Sequence, residues 1–468
     1  MKYDYESVVD TIQNTRRFGT FTGFEVSKRM LEQLSNPQKD IPFVHIAGTN
    51  GKGSTTAFLC EILKQTGMKV GMFTSPHLVT FEERIRINGE YISKEDVTRL
   101  GNQLLEMKFD VPPTMFDYCL CMAVLYFKEQ NCDIMVMETG IGGRFDSTNA
   151  LGTPLVSVIT KIGFDHMAIL GNTLEEIAYE KAGIIKKGVP VILQKQEESA
   201  YKVICDYVQK INLNEANETK QDVIVKNANS KEENPFLGNK KDDVQEKQEV
   251  FDSTEDKNNN CMSEYFIEVS QQIREYVSKF PRKMLGNFQI ENAATALLAA
   301  VTIFEKWINR HKLPERYLNY IKQGITQAVW KGRMELVNEN PFFMIDGAHN
   351  PDGVHALAES LKTLYPNEKF HFIMAVMADK DYETMIEELI PLAYDFVTVT
   401  PEYSRALQAK ELAECITKKG VKATYAQSLE EVIMPLLPKN TDVKDNKLQE
   451  KTVAFGSLYF IGEIEALL

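Results

Sequence analysis

A short apolar run that ends in glycines and continues as a helix constrains this chain more than any other feature. Pro42-Phe43-Val44-His45-Ile46-Ala47 has the composition of a buried strand, and Gly48-Thr49-Asn50-Gly51-Lys52-Gly53-Ser54-Thr55 follows it directly. From Thr56 to Gln65 the apolar residues Phe58, Leu59, Ile62 and Leu63 recur at helical spacing. Strand, glycine loop and helix in that order form a phosphate cradle. Glycines let backbone N–H groups turn toward phosphate oxygens, and the helix N-terminus adds partial positive charge. Lys52 supplies a charge for the outer phosphates, and Ser54 or Thr55 a hydroxyl for Mg²⁺. The match to G-x-x-x-x-G-K-[ST] is incomplete, since Ile46 stands in the first glycine's place and Gly53 follows the lysine. An ordinary glycine-rich turn is the competing account; the placement between strand and helix favours ATP.

The same alternation extends on both sides. Strands are expected at Lys69–Thr74, Asp133–Glu138, Pro154–Thr160 and Pro190–Leu193, with helices at Lys94–Met107, Phe116–Phe127 and Leu174–Ile185. This order predicts an α/β fold with a mainly parallel sheet covered by helices. A chain of 468 residues is long for one core, so two domains are expected. From about 214 to 260 aromatics nearly vanish and Asn, Lys, Glu, Asp and Gln dominate, which reads as a polar, mobile surface insertion. Val223-Ile224-Val225 within it is a possible strand, and Lys439–Lys451 a polar loop. A strong helix is expected at Gln289–Trp307. A second alternating series then begins at Phe342, with strands to Ile345 and at Phe370–Val376, Phe396–Thr398 and Val453–Phe455. Its helices fall at Gly353–Leu364, Tyr382–Leu389 and Tyr459–Leu467. The expected division is 1–328, a linker at 329–334, and a smaller Rossmann-like α/β domain at 335–468.

Composition excludes little. The net charge of −13 argues weakly against nucleic-acid binding. Seven scattered cysteines without metal-type pairing, no signal-like start and no bilayer-length apolar run point to a reduced, cytoplasmic protein without a membrane partner. A monomer is the default.

Other candidate residues sit where strands end, the edge at which open α/β sheets bind ligands. Glu138 closes the run Ile134-Met135-Val136-Met137 and opens Thr139-Gly140-Ile141-Gly142-Gly143-Arg144, so it can hold Mg²⁺ or simply pair with Arg144. His166, after Asp165, can offer a ring nitrogen to a metal or serve as a structural hydrogen-bonder. Lys181, taken alone, reads as a solvated helical lysine. In the second domain Asp346 and His349 lie in Ile345-Asp346-Gly347-Ala348-His349-Asn350-Pro351, another strand end, with Asn350 suited to an N-cap. Arg333 precedes that domain.

Assembled, these segments resemble the folylpolyglutamate and dihydrofolate synthase branch of the Mur-ligase superfamily. The marks are Gly48–Thr55, Ser75-Pro76-His77-Leu78 with Glu83-Arg84-Ile85 and Asn88-Gly89, Glu138–Asn149, and Asp165-His166-Met167. Glu180–Ile185, Gln289–Ala293, Trp330 with Gly332-Arg333, Asp346–Pro351, Asp379-Lys380-Asp381 and Gly456-Ser457-Leu458-Tyr459 complete the ordered set. The resemblance implies an ATP- and Mg²⁺-dependent ligase that adds L-glutamate to folate or dihydropteroate through an acyl phosphate. It implies that Gly48, Thr49, Asn50, Gly51, Lys52, Gly53, Ser54 and Thr55 contact ATP, with Gln289, Asn292, Arg333, Asp346 and His349. Lys52, Lys181, Asp346 and His349 would be the catalytic group, with Lys181 matching a lysine that CO₂ carbamylates. Ser75, Glu138 and His166 would hold Mg²⁺; Pro76, His77, Leu78 and Arg84 would line the folate site. Phe288 replaces a usual His, Lys331 a frequent Pro, and the 214–260 stretch exceeds the family norm. A Mur-type ligase for another carboxylate, or an inactive ATP-binding regulator, are the alternatives.

Overall fold

The computed structural model describes residues 2–15, 23–213, 266–308, 314–437 and 451–468. The expected insertion at 214–260, the strand at Val223–Val225 and nearly all of the loop 439–451 lie outside the described residues. The described chain divides into two compact units. The first comprises 1–75, 84–282 and 290–328; the second comprises 76–83, 283–289 and 329–468.

In the first unit, eight strands are described: β1 (Phe43–Ala47), β2 (Val70–Phe73), β3 (Ile85–Ile87), β4 (Glu90–Tyr91), β5 (Ile134–Glu138), β6 (Val156–Ile159), β7 (Val191–Leu193) and β8 (Phe266–Glu268). They form one sheet in the order β4-β3-β2-β5-β1-β6-β7-β8. All neighbours from β2 to β8 are parallel, whereas β3 and β4 add an antiparallel edge. Continuous apolar runs such as Ile134–Met137 form the middle strands because helices cover both faces, leaving no side for polar residues. The edge hairpin turns at Asn88 and Gly89, both with positive φ, as a two-residue turn between twisted strands requires.

The helix Lys52–Lys64 starts directly after the glycine loop, capped by Gly51 in the left-handed region. Its apolar face packs on the helix Glu315–Gln327, and the crossing is close: a Cβ at Gly324 would collide with the backbone of Ile62. Cys119 and Cys121 are fully buried in the helix Met115–Glu129. That helix is opened by a capping box in which Thr114 and Asp117 exchange bonds.

The second unit has β9 (Glu335–Glu339), β10 (Phe342–Asp346), β11 (Phe370–Met374), β12 (Ala393–Thr398), β13 (Ala423–Tyr425) and β14 (Lys451–Phe455), ordered β13-β12-β11-β14-β10-β9. Among the described strands only β9 runs antiparallel to its neighbour. Period-two alternation divides the strands between two cores. Phe370, Phe372, Met374 and Phe455 face Leu357, Leu361, Ile386 and Leu412. Phe343, Ile345, Ile373 and Ala454 face Phe460, Ile461 and Ile464. Among the described residues no helix is long and apolar enough to cross a membrane.

Candidate active site

Because β2, β5, β1 and β6 are parallel and adjacent, their carboxyl ends open on one edge. Four expected groups lie there: Ser75 after β2, Glu138 ending β5, Gly48–Thr55 after β1, and Asp165-His166 after β6.

The loop after β1 is held by its neighbour. The Thr49 and Asn50 amides donate to the Lys161 carbonyl at 2.9 and 3.1 Å, and the Thr49 hydroxyl donates to the Gly163 carbonyl at 3.0 Å. Gly48 lies so close to Thr160 that a Cβ would overlap its hydroxyl. Gly51, at φ 89°, approaches Asn292 in the same way. The Asn292 carboxamide oxygen accepts from Gln194 Nε2 at 3.0 Å, while Gln194 Oε1 accepts from the Lys161 amide at 2.8 Å. Gln196 repeats the pattern one step along, accepting from the Ile162 amide and donating to the Thr160 carbonyl. Gln194 and Gln196 thus brace the loop after β6, whose Lys161 carbonyl in turn holds Thr49 and Asn50, and neither glutamine was singled out in the sequence. The signal was present as two glutamines spaced two apart directly after the apolar run Val191-Ile192-Leu193.

Two lysines converge on one carbonyl. Lys52 Nζ donates to the Gly48 and Thr49 carbonyls at 3.0 and 3.2 Å, and Lys181 Nζ donates to the same Gly48 carbonyl at 2.8 Å. Lys181 is only 3% exposed, so the solvated lysine expected from its position alone is overturned. The cause is helical phase: in Leu174–Ala182 the residues Ile177, Ala178, Lys181 and Ala182 share the inward face. Burial drives the Lys181 ammonium down to about 7, with repulsion from Lys52 adding to the drop and Asp165 and Asp146 opposing it.

Glu138 is buried and accepts from the Ser75 amide at 3.3 Å. Arg144, its alternative partner in the sequence, instead forms an ion pair with Glu180 at 2.6 Å. The loop 139–149 is organised by Asp146, which accepts from the Gly140, Ile141 and Thr148 amides at 2.8 to 3.0 Å. His166 takes a left-handed backbone, with its amide bonded to Asp165 Oδ1 and its ring partly exposed. Among the described residues no group of three His, Cys, Asp or Glu side chains comes together to hold a metal ion. A hydroxyl and one carboxylate at adjacent strand ends still suit Mg²⁺, which takes few protein ligands and fills its shell with water and phosphate oxygens.

The second unit has its own polar cluster. Buried Asp346 accepts from the Met334 and Ala348 amides, each at 2.8 Å. Burial raises its carboxyl above the ordinary range even though Arg333 pulls it down. Gly347 leaves room for the Arg333 guanidinium, which a side chain there would displace. His349 Nδ1 lies 2.8 Å from the Gly347 carbonyl, so that nitrogen carries the proton. Asn350 caps the helix Pro351–Leu364. Gln289 and Asn292, three apart on the helix Phe288–Ile308, are both buried. Of the expected folate residues, Arg84 is buried, His77 and Leu78 are half-buried and Pro76 is exposed.

Two family models match the chain: the Mur ligase middle domain over residues 46–300 and the Mur ligase glutamate ligase domain over 332–442. The chain is 34% identical to a dihydrofolate synthase/folylpolyglutamate synthase of Bacillus subtilis, covering 99% of both chains. It is 29% identical to a folylpolyglutamate synthase of Lacticaseibacillus casei, over 94% of this chain and 92% of that one. A solved FPGS–AMPPCP–folate complex is similar over 100% of both chains, with a TM-score of 0.71 and 26% identity.

Proposed function

This chain belongs to the Mur ligases, in the branch of the folylpolyglutamate and dihydrofolate synthases, and we propose that it glutamylates both folates and dihydropteroate. It is an ATP-dependent ligase joining L-glutamate to a folate-type carboxylate. The use of both acceptors is supported by the Bacillus subtilis relative, whose name carries both activities.

A carboxylate resists an amine because its carbonyl is electron-rich and oxide is a poor leaving group. Its oxygen therefore attacks the γ-phosphorus of ATP, the bond to ADP breaks, and an acyl phosphate forms. The neutral amine of glutamate adds to that carbonyl carbon. The tetrahedral intermediate then expels phosphate, and the amine loses its proton to solvent. Lys52, donating to Gly48 and Thr49 beside the helix start, is placed to turn onto the transferring phosphoryl group. Ser75, Glu138 and His166 are assigned to Mg²⁺, which when bound supplies charge neutralisation at the phosphates. Gly48–Thr55 with Gln289 and Asn292 are assigned to ATP. On the family resemblance, Arg333, Asp346 and His349 are assigned to the nucleotide, and Pro76, His77, Leu78 and Arg84 to the acceptor.

Lys181 is assigned as a carbamylation site. With its amine titrating near 7, a large neutral fraction can attack CO₂. The N–C bond forms, one N–H proton leaves to solvent, and an anion replaces a cation beside Gly48.

The observation that carries this assignment is the convergence of Lys52 and Lys181 on the Gly48 carbonyl, at the edge that also holds Glu138 and Ser75. The test is ADP release with ATP, Mg²⁺ and L-glutamate, comparing dihydropteroate with tetrahydrofolate. Stimulation by both is expected; stimulation by one restricts the acceptor, and by neither refutes the assignment. Lys52→Ala and Glu138→Ala should each lower turnover by about a hundredfold or more, and near-native turnover in either would remove that residue from the mechanism.

A further inference from the structure

The segment between β2 and β3 is a closed loop. Its neck is fixed by the Thr74 amide donating to the Arg84 carbonyl at 3.0 Å. Inside the loop three successive amides point at one side chain: Leu78 donates to Glu83 Oε2 at 2.8 Å, and Val79 and Thr80 donate to Glu83 Oε1, each at 2.9 Å. The Glu83 amide returns a bond to the Thr80 carbonyl at 3.2 Å. Amides in an irregular segment need an acceptor, and a carboxylate taking several of them forms short, charge-assisted bonds. Glu83 is 7% exposed, while Pro76 and Val79 on the same loop remain exposed and His77 and Leu78 half-buried. The loop therefore keeps its polar tie inside and leaves Pro76, Val79 and Thr80 outside.

A second contact holds the same backbone. Leu78 packs against the core of Phe460, Ile461 and Ile464. Its carbonyl lies so close to Gly462 that a Cβ there would overlap it. Gly462 sits in the helix Leu458–Glu465 without a positive φ, so its lack of a side chain serves close approach rather than backbone freedom.

We propose that Glu83 is a positioning residue for the acceptor: its carboxylate gathers the Leu78, Val79 and Thr80 amides and thereby sets the loop on which the flat pteroate end of the substrate rests. Glu83 acts through the loop and does not itself meet the substrate. The inference rests on the assignment of Pro76, His77, Leu78 and Arg84 to the acceptor, and it adds a residue from inside the loop and a seat on another helix.

The experiment compares Glu83→Ala, Glu83→Gln and Gly462→Ala with the unaltered enzyme, measuring KM for tetrahydrofolate, KM for ATP and the melting temperature. Glu83→Ala loses all three bonds and should raise the acceptor KM about tenfold or more. Glu83→Gln keeps one acceptor oxygen but sets an N–H where an oxygen stood, so its rise should be smaller. Gly462→Ala displaces the loop from the other side and should raise the acceptor KM as well. KM for ATP should stay within about twofold of the parent in all three, a split that general loosening of the fold would not give. An unchanged acceptor KM, or acceptor and ATP values rising together, overturns the proposal. If Glu83→Ala does not fold, Glu83→Gln and Gly462→Ala decide it alone. No acceptor-stimulated ADP release by the unaltered enzyme would instead count against the function itself.

Discussion

Lys181 combines a depressed ammonium with deep burial, and the consequence can be measured as stability against pH. Its proton is lost near 7 in the folded protein, against 10.5 in the unfolded chain. Between those values the unfolded state binds one proton more, so stability rises with pH across that window and falls as pH drops through it. At pH 7 the penalty is on the order of a few kcal/mol. Lys181→Met removes it, while Lys52 continues to donate to the Gly48 carbonyl. In CO₂-free buffer the variant should therefore melt above its parent at pH 7, and the gap should close as pH approaches 10. A gap that stays flat with pH would show that Lys181 is not a buried charge. For the carbamate, Lys181→Ala should lose activity that acetate or formate partly restores; unaffected activity excludes that role. Lys181 also shows why local sequence misleads. Glu175, Glu176 and Glu180 surround it and suggest a wet face, yet helical phase places it with Ile177 and Ala178. The phase was legible, but what covered that face was not, because Gly48 lies 133 residues away.

At the scale of the element, two glycines of matched φ separate conformational strain from close packing. Gly51 and Gly67 have φ of 89° and 91°, but a Cβ at Gly67 meets nothing within 4 Å, whereas one at Gly51 overlaps Asn292. Alanine at either position costs roughly 1–2 kcal/mol for the left-handed backbone. Only Gly51→Ala must also push Asn292 away from Gln194 and distort the loop. Titration of ATP with Mg²⁺ should show Gly67→Ala binding like the parent and Gly51→Ala weaker by about tenfold or more. Equal affinities would mean that the Asn292 contact does not shape the loop. The strand-loop-helix containing Gly51 was legible because apolar runs and glycine spacing are local signals. So were the central strands and the helices at Tyr382–Leu389 and Phe288–Ile308. Less was evident where the partner is distant. The helices Tyr5–Gln13 and Glu25–Gln33 are only nine residues each and pack on helices much later in the chain. The β3–β4 hairpin is too short to stand out despite its Asn88-Gly89 turn.

For the whole molecule, the second unit is discontinuous in sequence, and this sets what a fragment can do. Every strand of its described sheet lies between Glu335 and Phe455, and both cores are built mainly from residues after Val329. Three side chains come from elsewhere: Leu285 and Phe288 pack against one core and Leu78 against the other, each partly buried. Burying such a side chain completely is worth about 1.5–3 kcal/mol, so removing three partly buried ones costs roughly 3 kcal/mol. A domain of this size has about 5–15 kcal/mol in total. The fragment 329–468 should therefore fold on its own, with one cooperative urea transition but reduced stability. It should also bind a hydrophobic dye at the positions Leu78, Leu285 and Phe288 leave uncovered. Supplying 283–289 as a peptide should then raise its urea midpoint, because the peptide binds only the folded form. A fragment without a cooperative transition would mean that the borrowed segments are required for the fold to form, and that this unit assembles only after the earlier chain has delivered them.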